Sequence, residues 1–145
     1  MALLRRLTDV RKQLADRALG GGPLPFSAEE VTRVSAWCCF LAGWACMGGR
    51  LGWALGLLIA CLLLDVADGV AARRNDEDNP HVDWAADRFG ELALIGGLFW
   101  RDSIWVGGAY SACYALNIFL PRWRIPVLPL RHVLAAYWAY RILAG

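Results

Sequence analysis

Four aspartates lie at the ends of two apolar stretches of this sequence, where charged groups are least expected. Asp65 and Asp68 end the stretch that begins at Leu51, and Asp83 and Asp87 precede the next one. A carboxylate beside hydrocarbon is unfavourable unless it pairs with a cation, takes up a proton or binds a metal. The fold must therefore bring these four groups to compensating partners.

The rest of the sequence predicts helices in a membrane. Apolar residues make up 58% of the 145 residues, and eight tryptophans are typical of a protein at membrane–water interfaces. Residues 2–19 place leucines on one helical face and arginines on the other, which favours an amphipathic helix on the membrane surface. We predict an all-α membrane protein, with this interfacial helix and its linker in residues 1–22 and a transmembrane domain in residues 23–145.

Turn and capping signals divide the transmembrane domain into about five to six helices around a polar cavity at the cytoplasmic side. The first helix begins at Ser27, which forms a capping box with Glu30. A second begins near Leu51 and continues through Asp65 and Asp68, because its apolar part alone is too short to cross a bilayer. The other predicted ranges are 28–47 for the first helix and 81–100, 103–120 and 130–144 for the later ones.

Arginine and lysine are concentrated in alternate loops. They are dense before the first helix, at residues 73–74 and at residues 122–131, whereas the other loops contain only Arg50 and Arg101. The positive-inside rule then places the N-terminus and the aspartate-rich stretch in the cytoplasm. The basic residues form no continuous stripe interleaved with aromatic side chains, so nucleic acid is excluded as a partner.

The four aspartates lie at matching depths along two antiparallel helices. Counted from the turns at residues 50 and 101, Asp65 and Asp87 lie 15 and 14 residues in, and Asp68 and Asp83 each lie 18 residues in. Spacings of three and four keep each pair on one helical face. Oxygen ligands favour Mg²⁺, Mn²⁺ or Ca²⁺. Four carboxylates can hold two ions about 3.5–4 Å apart, an arrangement that serves phosphoryl chemistry.

Two further patterns concern the apolar stretches. All five cysteines lie there without a CxxC pair, which predicts buried free thiols. Arg88 and Glu91 are three residues apart on the third helix, and we expect them to form a structural pair rather than to take a catalytic role.

The aspartates belong to a longer pattern, Asp65-x2-Asp68-Gly69-x2-Ala72-Arg73 followed by Asp83-x3-Asp87. This pattern resembles the signature of the CDP-alcohol phosphatidyltransferase family, which reads D-x2-D-G-x2-A-R and then G-x3-D-x3-D. The chain is a divergent example, because Asn79 stands at the second glycine and the spacer after Arg73 has five residues rather than about eight.

The resemblance implies a membrane enzyme that moves a phosphatidyl-type group from a CDP-linked lipid, CDP-diacylglycerol or CDP-archaeol, to an alcohol, with release of CMP. Residues 23–145 would be its catalytic domain. The four signature aspartates would bind Mg²⁺ or Mn²⁺, two ions per active site, and Asp87 would also be the general base. Nucleotide binding would fall to Asp68, Gly69, Ala72, Arg73 and Asn79.

The sequence says less about the acceptor-binding residues and about the oligomeric state. Arg33, Arg122, Arg124 and Arg131 belong to the cytoplasmic side and are candidates to bind an anionic acceptor, or else contribute to topology and lipid contact. The resemblance further implies a homodimer in the plasma membrane of a prokaryote, with the active site facing the cytoplasm and the partners being a CDP-linked lipid, a small alcohol and the bilayer.

Three other functions remain open from the sequence. A family relative with impaired catalysis would fit the altered spacer and Asn79. An intramembrane prenyltransferase also uses aspartate-rich motifs and Mg²⁺, although it lacks the Asp-Gly-x2-Ala-Arg string. A divalent-cation transporter would need acids near the middle of the bilayer, whereas these lie at one end.

Overall fold

The structure is a computed structural model that describes residues 25–75, 80–119 and 129–145, with the backbone alone at residues 80–83 and 119. Within these ranges all regular secondary structure is helical, and the bounds lie within one residue of those predicted. The interfacial helix predicted for residues 1–22 lies outside the described residues. The five described helices are α1 (Ala28–Met47), α2 (Leu51–Asn75), α3 (Pro80–Arg101), α4 (Ile104–Phe119) and α5 (Leu130–Leu143).

Local signals fix both ends of α1. The Ser27 hydroxyl accepts a hydrogen bond from the Glu30 amide at 3.1 Å, and the Ser27 amide donates to the Glu30 carboxylate at 3.0 Å. This confirms the predicted capping box, which satisfies two otherwise unpaired amides at the helix start. At the other end Gly49 has a φ of +73°, a conformation that glycine adopts without steric cost, and the chain turns there into α2.

Helix α1 packs against both α2 and α3 and is the centre of the fold. Its crossing with α3 depends on two glycines that allow backbone-to-backbone contact. A Cβ atom at Gly43 would lie 2.3 Å from the carbonyl oxygen of Ala93, and one at Gly97 would lie 2.7 Å from the carbonyl oxygen of Gly43. Close approach through small residues is typical of helices that pack inside membranes.

Helix α2 has 25 residues and a length of about 37 Å at a rise of about 1.5 Å per residue. It continues without a break through Asp65 and Asp68, as predicted. Of the described helices, α2 alone is long and apolar enough, by length and composition, to cross a membrane. The number of membrane-spanning helices therefore stays a prediction.

Helix α5 packs mainly on α2, with Leu134 and Trp138 buried in the common core. Its far end is held by a polar contact to the turn between α3 and α4. Arg141 donates to Asp102 Oδ1 at 2.6 Å, and the Tyr137 hydroxyl donates to the same oxygen at 3.3 Å. The Asp102 side chain is only 4% exposed, so this contact keeps a buried carboxylate paired.

Replacing Asp102 by alanine should destabilise the protein. The change removes the shared acceptor of Arg141 and Tyr137, and we expect a loss of about 1–3 kcal/mol in the free energy of unfolding. Chemical denaturation in detergent, followed by tryptophan fluorescence, measures it. The matched control is Glu29→Ala, which removes an exposed ion pair with Arg33 and should change stability by less than about 1 kcal/mol. Equal losses in the two variants would contradict a structural role for the Asp102 contact.

Candidate active site

Three of the four signature aspartates face one polar cavity. Asp65 and Asp68 come from α2, and Asp87 comes from α3, as the matched depths predicted. The side chain of Asp83 lies outside the described residues, although the backbone places it one turn before Asp87 on α3. The cavity has a volume of about 230 Å³ and is lined by Thr32, Ser35, Ala36, Asp65, Asp68, Ala86, Asp87 and Arg131.

The guanidinium group of Arg131 joins the two aspartate-bearing helices. Its Nη1 donates to Asp65 Oδ2 at 2.8 Å, and its Nη2 donates to Asp87 Oδ1 at 2.7 Å and to the Asp87 carbonyl at 3.2 Å. The Arg131 side chain is 9% exposed, whereas those of Asp65 and Asp87 are 34% and 53% exposed. A buried arginine therefore compensates two carboxylates that remain open to the cavity.

Two hydroxyl groups of α1 bind the aspartates of α2. Ser35 Oγ lies 2.5 Å from Asp65 Oδ1, and Thr32 Oγ1 lies 3.1 Å from Asp68 Oδ2. Both side chains are buried, and each hydroxyl orients a carboxylate that lines the cavity. Thr32 and Ser35 were not among the site residues predicted from the sequence. The signal that could have found them is a pair of hydroxyls three residues apart in an apolar helix.

Buried thiols lie beside the carboxylates. Cys39 Sγ and Cys61 Sγ are 2.9 Å apart, and Cys61 lies one turn from Asp65 on α2. Arg131 Nη1 is 3.7 Å from Cys61 Sγ, so the thiol pair adjoins the buried side of the guanidinium. The cysteines are free, with three buried and two half-buried, and this confirms the prediction of apolar thiols.

The expected pair on α3 also forms. Arg88 Nη1 lies 3.3 Å from Glu91 Oε2, with both side chains largely buried. The guanidinium also faces the ring of Tyr114 on α4 at 5.3 Å from the ring centroid. These contacts link α3 to α4, which supports the structural role that we expected for the pair.

The predicted nucleotide-binding residues lie along the last turns of α2, beyond Asp68. Gly69 and Ala72 are half-buried, and Arg73 is exposed, with its Nη1 3.5 Å from the position that a Cβ at Gly69 would take. The side chain of Arg73 therefore follows the surface of α2 back toward Gly69. Asn79 lies outside the described residues.

The structure describes two of the four predicted acceptor-binding arginines, Arg33 and Arg131. Of these two, only Arg131 lines the cavity. Arg33 is exposed, pairs with Glu29 one turn before it, and is not among the lining residues. Arg122 and Arg124 lie outside the described residues.

The donor chemistry of the cavity fits a divalent cation. Three carboxylates line one space, and oxygen ligands are those that Mg²⁺ and Mn²⁺ prefer. In the described residues no three histidine, cysteine or acidic side chains gather closely enough to hold an ion. Asp65 and Asp87 each pair with Arg131, and Asp68 contacts Thr32. The predicted two-ion site stays a prediction.

The described helices thus bring three carboxylates and a buried arginine to one polar cavity. The sequence matches the family model described as CDP-alcohol phosphatidyltransferase over residues 27–143. The match covers all five described helices and the signature aspartates, and the chain belongs to the CDP-alcohol phosphatidyltransferase family. We found no match among curated proteins or solved structures.

Proposed function

We propose that this chain transfers a phosphatidyl-type group from a CDP-linked lipid to the hydroxyl group of a small alcohol and releases CMP. The family assignment supports phosphatidyl transfer from a CDP-alcohol. The observation that carries the proposal to these residues is the convergence of Asp65, Asp68 and Asp87, from two helices, on one polar cavity.

In this reaction the acceptor oxygen attacks the β-phosphorus of the CDP-lipid, and the bond between that phosphorus and the CMP oxygen breaks. Asp87 takes the proton of the attacking hydroxyl. Its carboxylate suits this role because it faces the cavity and, at 53% exposure, is more accessible than that of Asp65. The electron pair of the broken bond leaves with CMP.

The divalent cations would be held by Asp65, Asp68, Asp83 and Asp87. When bound, they supply positive charge that neutralises the diphosphate and the departing CMP oxygen. Ser35 and Thr32 fix the orientation of Asp65 and Asp68, so the carboxylates need little rearrangement as charge develops. Gly69 and Ala72 on α2 would contact the nucleotide, and Arg73 and Asn79 would also contribute to its binding. Arg131 is our choice among the acceptor-binding arginines because it lines the cavity.

We place the enzyme in the plasma membrane of a prokaryote, as a homodimer with the cavity facing the cytoplasm. The support for a membrane location is the long apolar helix α2, of whose most apolar segment only 28% is buried within the chain. Large aromatic side chains are also exposed, which would be unfavourable in water. Those more than half exposed are Trp37, Trp44, Trp53, Trp84, Trp100, Trp105 and Tyr140.

A direct assay tests the proposal. Purified protein with CDP-diacylglycerol or CDP-archaeol, Mn²⁺ or Mg²⁺, and glycerol phosphate, inositol phosphate or serine should release CMP with at least one acceptor. Removing the metal with a chelator should abolish release, and adding it back should restore it. CDP binding without CMP release from any acceptor would favour the impaired relative. Neither binding nor release would contradict the proposed function.

A further inference from the structure

The bridge between α2 and α3 consists of a single guanidinium group that uses both of its terminal nitrogens. Nη1 binds Asp65 and Nη2 binds Asp87, each at hydrogen-bonding distance. In the described part of the chain, Arg131 Nε is buried without a hydrogen-bond partner. The two carboxylates therefore compensate the charge of Arg131, whereas its Nε–H donor is not used.

These contacts engage carboxylate oxygens that a metal would also use as ligands. Asp65 Oδ1 faces Ser35 and its Oδ2 faces Arg131, so both oxygens of Asp65 are already engaged. Asp87 Oδ1 is also engaged by Arg131. A divalent cation held between Asp65 and Asp87 would lie close to the guanidinium that now bridges them, and two positive charges at that distance repel each other.

We infer that Arg131 and the divalent metal compete for Asp65 and Asp87, with Arg131 holding the carboxylates in the metal-free protein and leaving them when the metal binds. This inference rests on the metal dependence of the proposed function. It assigns Arg131 a positioning role that the acceptor-binding prediction does not contain. Once displaced, the guanidinium is free to pair with an anionic group of a substrate, so metal binding precedes that contact.

The surroundings of Arg131 allow such a movement. The residue is in the first turn of α5, whose backbone is held by the buried Trp138 and, at its far end, by the contact of Arg141 with Asp102. The helix can stay in place while the long arginine side chain rotates. Of the two acids that it bridges, Asp87 has the more exposed side chain.

Titration with Mn²⁺, followed by electron paramagnetic resonance of the free ion, tests the competition without any turnover. Arg131→Gln should bind Mn²⁺ about tenfold or more tightly than the wild-type protein, because the substitution removes a unit positive charge beside the carboxylates that bind the ion. Arg131→Lys, which keeps the charge but cannot bridge two carboxylates in the same way, should fall between them. An unchanged or weaker affinity in Arg131→Gln would overturn the inference.

The matched control is Arg141→Gln. Arg141 lies on the same helix and also pairs with an aspartate, but at the opposite end of α5 from the cavity. Its replacement should leave Mn²⁺ affinity unchanged. An equal gain in both variants would mean that loosening α5, rather than freeing the carboxylates, raised the affinity, and this would count against the inference.

Arginine-specific labelling with phenylglyoxal gives a second test in the wild-type protein. Arg131 is nearly buried where it bridges the two acids, so saturation with Mn²⁺ should increase its modification, measured by mass spectrometry. Unchanged labelling on saturation would contradict displacement. If no form of the protein bound Mn²⁺, the inference would fail, and CMP release with Mg²⁺ in the same samples would decide the proposed function separately.

Discussion

Asp87→Asn should lower kcat for CMP release by a factor of about 10²–10⁴, the usual contribution of a positioned general base. An amide oxygen cannot take the proton of the acceptor hydroxyl at neutral pH. The substitution preserves the local geometry, because the amide oxygen of the new side chain would still accept from Arg131, whose Nη2 also donates to the backbone carbonyl of residue 87. Binding of CDP, measured by calorimetry, should persist.

Asp102→Asn is the matched control for this substitution. Asp102 is also paired with an arginine of α5, but it lies at the end of the protein away from the cavity. The control should keep kcat close to that of the wild-type protein even if it is less stable. Turnover at the wild-type rate in Asp87→Asn would show that another group accepts the proton and would overturn the assignment of the base.

The helices that carry the site could be predicted from the sequence because capping and turn signals are local. Capping at Ser27, the turn at residues 48–50 and the breaks around residues 102 and 129 depend on a few neighbouring residues, and all appear in the structure near the predicted bounds. Depth along a helix also follows from counting at a fixed rise per residue. Asp65 and Asp87 could therefore be placed together before any contact was known.

The side-chain partners of the aspartates could not be predicted in the same way. Arg131 is 66 positions from Asp65 and 44 positions from Asp87 in the chain. Ser35 is 30 positions from Asp65. Such contacts depend on the rotation of α1 and α5 about their axes, which neither capping nor hydropathy determines. Arg131 was one of four equivalent cytoplasmic arginines in the sequence, and the packing of α5 on α2 distinguishes it from Arg33.

The approach of α1 to α3 was also missed, although glycine is the residue type that permits it. Gly43 and Gly97 lie on different helices and form no short motif within one of them. Their significance depends on which faces meet, and this is a property of the packed fold. Because Thr32 and Ser35 are carried by the same α1, the crossing also determines how these hydroxyls meet the aspartates of α2.

Gly43→Ala should be the most destabilising small substitution in the described helices. The added methyl group would lie 2.3 Å from the carbonyl oxygen and 2.7 Å from the carbonyl carbon of Ala93, both backbone atoms that cannot rotate away. The helices α1 and α3 would have to separate, and we expect a loss of about 3 kcal/mol, at the upper end of typical overpacking costs. Thermal unfolding in detergent, followed by circular dichroism, measures the change.

The matched control is Gly96→Ala on the opposing helix, where an added Cβ meets no atom within 4 Å. Alanine is the better helix former, so this variant should be unchanged or more stable by up to about 1 kcal/mol.

The same pair of variants also tests whether the packing of α1 on α3 affects the candidate active site. Since α1 carries Ser35, separation of the helices should weaken Mn²⁺ binding in Gly43→Ala under conditions where it remains folded, and should leave Gly96→Ala unaffected. A stable Gly43→Ala with normal Mn²⁺ affinity would show that the α1–α3 contact is looser than the structure has it.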